Sequence, residues 1–236
     1  MNQWGPAARE ILQPLTDTSL SNEDFRFMRA RNLTVGYVPV LAQRVTFVGE
    51  LGWELYAPVE SLTLWDTLVA AGAPFGLRPA GYRAIDAMRL EKGYRVWGSD
   101  IDTETTPDEA GLAFAVREDK AFIGRAALLA AREASGALDT SGAGAGIPAR
   151  RLRCLTLAEP RIVCQGGEPI RIDGRLCGRV TSGGYGFRVG ASIAYVYLPS
   201  TVAESVPVQV GVFGTWREAT VRHEPLFDRT NSRVRA

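Results

Sequence analysis

Apolar positions along the chain change period several times, and each change marks an element. Ile11, Leu12 and Leu15 form an inward stripe behind Pro6, which suits a first helical turn, so a helix is predicted over residues 5–15. A second short helical segment is predicted near Asn22 to Met28. The period then drops to two: Val35 to Val40 and Arg44 to Tyr56 read as an antiparallel strand pair with a turn near Leu41-Ala42-Gln43. Helical spacing returns at Leu62, Trp65, Leu68 and Val69, giving a helix from Glu60 to Ala71 with Gly72 as its cap. Arg78-Pro79-Ala80 opens another, with Ile85, Met88 and Leu90 among its apolar positions and Gly93 at its end. Asp86 and Arg89, three apart, can pair on its surface.

From Ala131 to Arg150 the composition shifts to Ala, Gly, Ser and Thr, with Ser141-Gly142-Ala143-Gly144-Ala145-Gly146 at the centre, which predicts a flexible linker over 131–150. Beyond it short β-type runs occupy Leu152 to Leu157, Pro169 to Ile172, Leu176 to Ser182, Ser192 to Leu198, Val206 to Val212 and Trp216 to Arg222. Asp173-Gly174 reads as a hairpin turn, while Gly183-Gly184 and Pro199-Ser200 read as strand ends. Strands at this spacing predict a small Greek-key barrel or sandwich. Because no regular strand-helix-strand rhythm runs through the chain, the fold class is α+β, with one domain over 1–130 and a second over 151–236.

One segment stands out chemically. In an extended Val45-to-Tyr56 strand, Leu51, Trp53 and Leu55 point one way while Glu50, Gly52 and Glu54 point the other. Two readings follow. Gly52 leaves a gap between carboxylates, and a strand glycine can mark close approach of a ligand or of another backbone. A carboxylate there can accept two parallel hydrogen bonds from a donor pair on a flat ring. Alternatively the glutamates are a solvated strand face with a bulge at Gly52.

Composition narrows the classes. With 236 residues, a 46% hydrophobic fraction and net charge +1, the chain can bury a good core. Acidic residues interleave with most basic ones, so no stripe suited to nucleic acid appears, and the Arg150-Arg151-Arg153 cluster reads as a solvated loop edge. No apolar run approaches the ~20 residues of a membrane span and Met1 to Pro6 is no leader, so the expectation is a cytoplasmic protein without membrane or nucleic-acid partners. Cys154, Cys164 and Cys177 form no C-x-x-C pair and read as buried or incidental thiols. His223 is the only histidine and precedes a strand-ending Glu224-Pro225, which argues against histidine metal sites and triad chemistry. Asp100, Asp102 and Glu104 lack a calcium-loop glycine and read as solvated acids rather than a metal cluster; no metal site is expected. Thr181-Ser182-Gly183-Gly184-Tyr185-Gly186 can cradle an anion, yet no lysine or helix follows, so a glycine-rich strand end is the favoured reading. Glu91 to Ile101 combines aromatics, charge and glycines in a loop, where Tyr94 and Trp97 either serve a site or pack the helix end.

Taken in order, Gly5-Pro6 with Arg9, Val48-Gly49-Glu50-Leu51-Gly52-Trp53-Glu54, Glu91-Lys92-Gly93-Tyr94-Arg95 with Trp97-Gly98, Thr105-Thr106-Pro107 with Glu109-Ala110-Gly111-Leu112, Phe122-Ile123-Gly124-Arg125 and Gly178 to Gly186 resemble one family. It is the folate-binding aminomethyltransferase family: the glycine cleavage T-protein and the carboxy-terminal region of dimethylglycine and sarcosine dehydrogenases. The Glu-Lys-Gly-Tyr-Arg-x-Trp-Gly and Ser-Gly-Gly-Tyr-Gly forms resemble the dehydrogenase-linked branch more.

The resemblance implies a T-protein-like folate-binding domain followed by a small antiparallel β-barrel, with tetrahydrofolate as cofactor and an amine-derived one-carbon donor. It implies that Glu54 binds the pterin ring, that Phe47 stands where the family has a pocket tyrosine, and that Tyr94 is a further wall residue. The T-protein branch's substrate arginine falls on Ile85; Arg83 is nearby but not the same site. The family's catalytic aspartate lies on a strand upstream of the Gly-Pro segment. No catalytic residue is therefore assigned in this chain, and neither Asp86 nor Asp100 matches that role. The expectation is a chain lacking the family's amino-terminal lobe, which a flavin-containing amino-terminal polypeptide can complete. A folate-dependent O- or S-demethylase and a non-catalytic remnant are the other readings.

Overall fold

In the computed structural model, which describes residues 1–59, 61–134 and 147–236, the first hairpin turns at Gly36-Tyr37. It joins β2 (Ala30–Val35) to β3 (Val38–Gln43), and Gly36 supplies the φ of +58° that the reversal needs. The expected turn at Leu41–Gln43 is thus displaced. Turning at Gly36 sets Leu33 opposite Val40 and Val35 opposite Val38, so all four side chains share the buried face. Pro39 is accommodated because the next strand reaches β3 only at Leu41, leaving no ladder partner for its missing N–H on that side.

Two compact units are described, Met1–Lys92 with Phe227–Ala236, and Gly93–Leu226. The first unit holds an antiparallel sheet in the order β1-β4-β3-β2, with β1 at Asn2–Trp4 and β4 at Gly52–Tyr56. Helix α1 (Ala8–Leu12) continues as a 3₁₀ turn to Leu15, close to the predicted helix, and buries Ile11 and Leu12. The predicted helix near Asn22 to Met28 is instead a series of turns. Ser21 accepts the Asp24 N–H, and Met28 takes φ +64°, a backbone state that ends any helix.

Helix α2 (Leu62–Gly72) buries Leu64, Leu68 and Gly72, whereas Leu62 and Trp65 point outward, against the stripe expected from sequence. Nor does Gly72 cap it: a 3₁₀ turn follows, and Gly76 takes the left-handed state. Gly72 serves packing, because a Cβ there would lie 2.5 Å from Leu77 Cβ. Helix α3 (Tyr82–Lys92) ends at Gly93, as predicted, at φ +74°. Its Arg89–Asp86 pair, 2.6 Å, forms from a buried arginine rather than a surface one. The core is Leu12, Leu20, Phe25, Val35, Trp53, Leu55, Leu64 and their neighbours, with Phe25 edge-on to Trp53.

In the second unit, helix α4 (Arg125–Ala134) precedes a closed antiparallel barrel in the order β10-β5-β8-β7-β6-β9. Its strands are β5 (Arg150–Leu157), β6 (Pro169–Ile172), β7 (Arg175–Gly186), β8 (Ala191–Pro199), β9 (Pro207–Val212) and β10 (Thr215–Arg222). The α+β class and the barrel agree with the sequence reading. Closure leaves no free sheet edge around most of the circumference. Asp173 and Gly174 both have positive φ, the turn that matches strand twist. Gly183-Gly184 does not end β7. A bulge between Val180 and Ser182 carries the strand onward, and a Cβ at Gly183 would sit 2.6 Å from the Cys164 carbonyl oxygen. The Ser141–Gly146 run of the expected linker lies outside the described residues. Among the described residues, no helix is long and apolar enough to cross a membrane.

The first unit contains a buried ion pair, Lys92 Nζ to Asp228 Oδ2 at 3.1 Å. Burial pushes the Asp228 carboxyl up, but hydrogen bonds from Ser232 and Lys92 outweigh it and hold it below the usual range. A carboxyl whose folded pKa is depressed adds stability above its unfolded value, near 3.8, that is lost as pH falls through the folded value. Asp228→Asn is expected to cost about 3 kcal/mol at pH 7, since it leaves Lys92 buried without its counter-charge. Urea unfolding at pH 7 and pH 3 checks this: the gap between variant and wild type should shrink in acid, and an unchanged gap would contradict the assignment.

Candidate functional site

The candidate carboxylate is held by strand pairing on both sides. Glu54 lies on β4 opposite Asn2 of β1 and Gln43 of β3, so two amide side chains flank it on the same face. On the opposite face Trp53 and Leu55 are fully buried, and each such side chain contributes roughly 1.5–3 kcal/mol. This anchoring fixes which way Glu54 points, because a one-residue slip would turn Trp53 and Leu55 into water. Glu54 is half-buried, and Tyr56 Oη donates to its Oε2 at 2.8 Å. That bond also raises the Tyr56 phenol above its ordinary pKa. Oε1 makes no hydrogen bond among the described residues and can accept an incoming N–H.

Tyr56 is the residue sequence reasoning missed. Its signal was present, since positions i and i+2 of a strand share a face.

The gap at Gly52 has another occupant than a ligand. A Cβ there would lie 2.2 Å from the Gln3 carbonyl oxygen and 2.4 Å from Trp4 Cδ1, so the glycine admits β1. Close approach of another backbone is the reading that holds, and the slot between two glutamates does not form. Glu50 is no strand neighbour of Glu54 either. Residues 44–51 are an irregular loop, where Gly49 takes φ +74° and the Lys92 stem fills the space its Cβ would need. Glu50 is buried and accepts from Arg233 Nη1 at 3.3 Å, a structural role rather than a solvated one.

Phe47 sits half-buried in that loop, in the same unit as Glu54. Tyr94 is half-buried in the other unit. Around it, the Glu91-to-Arg95 motif is explained largely by ion pairing. Lys92 belongs to the buried pair with Asp228, and Arg95 forks onto Glu224 while its Nε donates to the Ala110 carbonyl at 3.0 Å. Gly111, at φ +71°, leaves room for the Arg95 guanidinium, 3.2 Å from where a Cβ would stand.

Asp100 departs from expectation: it is 2% exposed, not solvated. Thr181 and Ser182 hydroxyls donate to its Oδ1 at 2.6 and 2.5 Å, and the Val96 N–H to its Oδ2 at 3.1 Å. The carboxylate pins the 96–101 loop to β7. Asp102 and Glu104 are exposed, as expected. The arginine cluster at 150–153 lies on β5, not on a loop edge; Arg150 pairs with Glu109 at 2.7 Å and lies over Tyr197. His223 follows β10 and pairs with Glu204 at 2.8 Å in the open. The thiols of Cys154 and Cys164 are buried, and burial pushes both up to about 12.

A four-stranded antiparallel sheet with helices, carrying an oriented surface carboxylate, together with a closed six-stranded barrel, defines an α+β protein with a barrel-bearing second unit. Residues 1–120 match the GCVT N-terminal domain, and residues 150–228 match the glycine cleavage T-protein C-terminal barrel domain. The chain belongs to the glycine cleavage T-protein family. It is 37% identical to mitochondrial dimethylglycine dehydrogenase of Mus musculus, over 98% of this chain and 26% of that protein. Mitochondrial sarcosine dehydrogenase of Mus musculus is 40% identical over 98% of this chain and 25% of its own length. Aminomethyltransferase of Shouchella clausii is 34% identical over 96% of this chain and 59% of its length. Among solved structures, the glycine cleavage system aminomethyltransferase T of Bartonella henselae superposes with a TM-score of 0.75 at 25% identity, over 92% of this chain and 56% of that one. The chain therefore spans about a quarter of those dehydrogenases, with 26% of the first covered.

Two outcomes check this geometry. Gly52→Ala should destabilise by about 1–3 kcal/mol, because its methyl meets backbone that cannot swing away; an unchanged melting temperature would remove the packing role. In native protein at pH 8 a disulfide reagent should leave Cys154 and Cys164 unmodified, reacting with them only after unfolding.

Proposed function

We propose that the chain is the tetrahydrofolate-binding part of an aminomethyltransferase-like protein of one-carbon metabolism. The one-carbon donor is an amine of the glycine, dimethylglycine or sarcosine type. The observation that carries this is the Glu54 carboxylate: it is held in register by strands on both sides, oriented by Tyr56, and has Oε1 open to a donor. Tetrahydrofolate would supply the nitrogen that takes up the one-carbon unit. Glu54 fits its pterin edge, because a carboxylate accepting a ring N–H and an adjacent amino group makes two charge-assisted bonds at once. Phe47, in the same unit, would offer an aromatic wall without the hydroxyl of a tyrosine. Family membership and the similarity to aminomethyltransferase support the ligand class.

A second reading concerns partnership. Similarity over 98% of the chain to the dimethylglycine and sarcosine dehydrogenases favours a dehydrogenase-linked assembly, in which a flavin-containing amino-terminal polypeptide supplies the oxidised donor and the acid/base group. No catalytic residue is assigned to this chain.

Titration calorimetry with tetrahydrofolate tests the ligand. Glu54→Gln keeps size but loses charge and should weaken binding about tenfold or more, the worth of a hydrogen bond to a charged group. Equal binding by the variant, or none by the wild type, would refute the assignment. Binding that emerges only when a flavoprotein partner is added would favour the second reading.

A further inference from the structure

Where β5 begins, the barrel unit has a cavity of about 430 Å³ with an unusual balance of charge. Pairing with β10 covers β5 only from Cys154 to Leu157, so Arg151 to Arg153 run on beyond it, beside the cavity. Arg151 and Arg153 share strand parity with Leu155 and Leu157, which belong to the barrel core, so they occupy the end of that interior. Arg222, on the last rung of β10 opposite Cys154, has the other parity and donates to Thr156 on the outer face.

Each carboxylate in the lining already has a side-chain partner of its own. Asp108 takes both forks of Arg132 at 2.7 Å, Glu224 pairs with Arg95, and Glu204 pairs with His223 at 2.8 Å. No carboxylate among the described residues pairs with Arg151, Arg153 or Arg222; Arg153 bonds only the Val202 carbonyl and Arg222 the Thr156 hydroxyl. The Nε atoms of Arg151 and Arg153 are moreover buried without any acceptor. Buried donors are almost always satisfied, so these orphaned nitrogens set the two arginines beside the cavity apart from the paired ones.

We propose that this cavity binds a small oxyanion, a polycarboxylate or a phosphate ester, in the forks of Arg151 and Arg153. The guanidinium geometry suits paired oxygens of either source and discriminates against a monatomic halide. The site lies wholly within the barrel unit and does not involve Glu54.

The test is calorimetry on the full chain with citrate and with pyrophosphate, each at low and constant ionic strength against chloride. Saturable binding of one molecule is expected for at least one of them: citrate alone marks a polycarboxylate site, pyrophosphate alone a phosphate site. The double variant Arg151→Gln with Arg153→Gln should weaken it about tenfold or more, with tetrahydrofolate binding unchanged. Should that variant fail to fold, Arg151→Gln alone is expected to weaken anion binding several-fold. Failure of both anions to bind beyond chloride, or wild-type affinity in a folded variant, would overturn the proposal.

Discussion

The first unit depends on the ion pair between Lys92 and Asp228, which lie 136 positions apart in sequence. Both partners are buried, so neither can be lost without stranding the other's charge. The lysine stem runs across Gly49 and shapes the loop before β4. The aspartate fixes the path of Phe227–Ala236, whose other bonds follow: the Phe227 N–H donates to Glu91, Arg233 to Glu50, and the Ala236 carbonyl accepts from Arg9 and Arg44. Arg44 lies over Trp53, the largest side chain in the sheet's core. The carboxylate on β4 is thus held through packing that begins far from it in sequence.

The same rule of paired buried charge organises the barrel unit. Arg95 with Glu224 ties the loop after α3 to the segment following β10, Arg132 with Asp108 joins α4 to the loop before it, and Asp100 ties its own loop to Thr181 and Ser182 of β7. Such networks rigidify only when every member is satisfied. At the cavity by the start of β5 the Nε atoms of Arg151 and Arg153 are buried without an acceptor, as are Ser192 Oγ and Arg217 Nε elsewhere in the unit.

Glycines divide by the same logic into those that turn the chain and those that admit a neighbour. Gly36 and Gly93 take left-handed backbone states. Gly52, Gly72 and Gly183 instead mark where another segment comes within the radius of a methyl group. In sequence the two kinds look alike. That is why Gly72 read as a helix cap and Gly183 as a strand end, and why Gly52 could be read as room for a ligand.

The amino-acid sequence by itself determined the α+β class, the barrel strands to within a few residues, the end of α3 at Gly93 and the outward face of β4 that carries Glu54. These are set by local periodicity and turn chemistry, which operate over neighbours in the chain. Ordered motifs added the family. Only tertiary structure decided that β1 fills the gap at Gly52, that Glu50 and Asp100 are buried, that the hairpin turns at Gly36, and that Tyr56 orients Glu54. Burial and pairing of a charge depend on residues brought together from distant positions, such as Glu50 with Arg233 and Asp100 with Ser182, and no local pattern contains the partner.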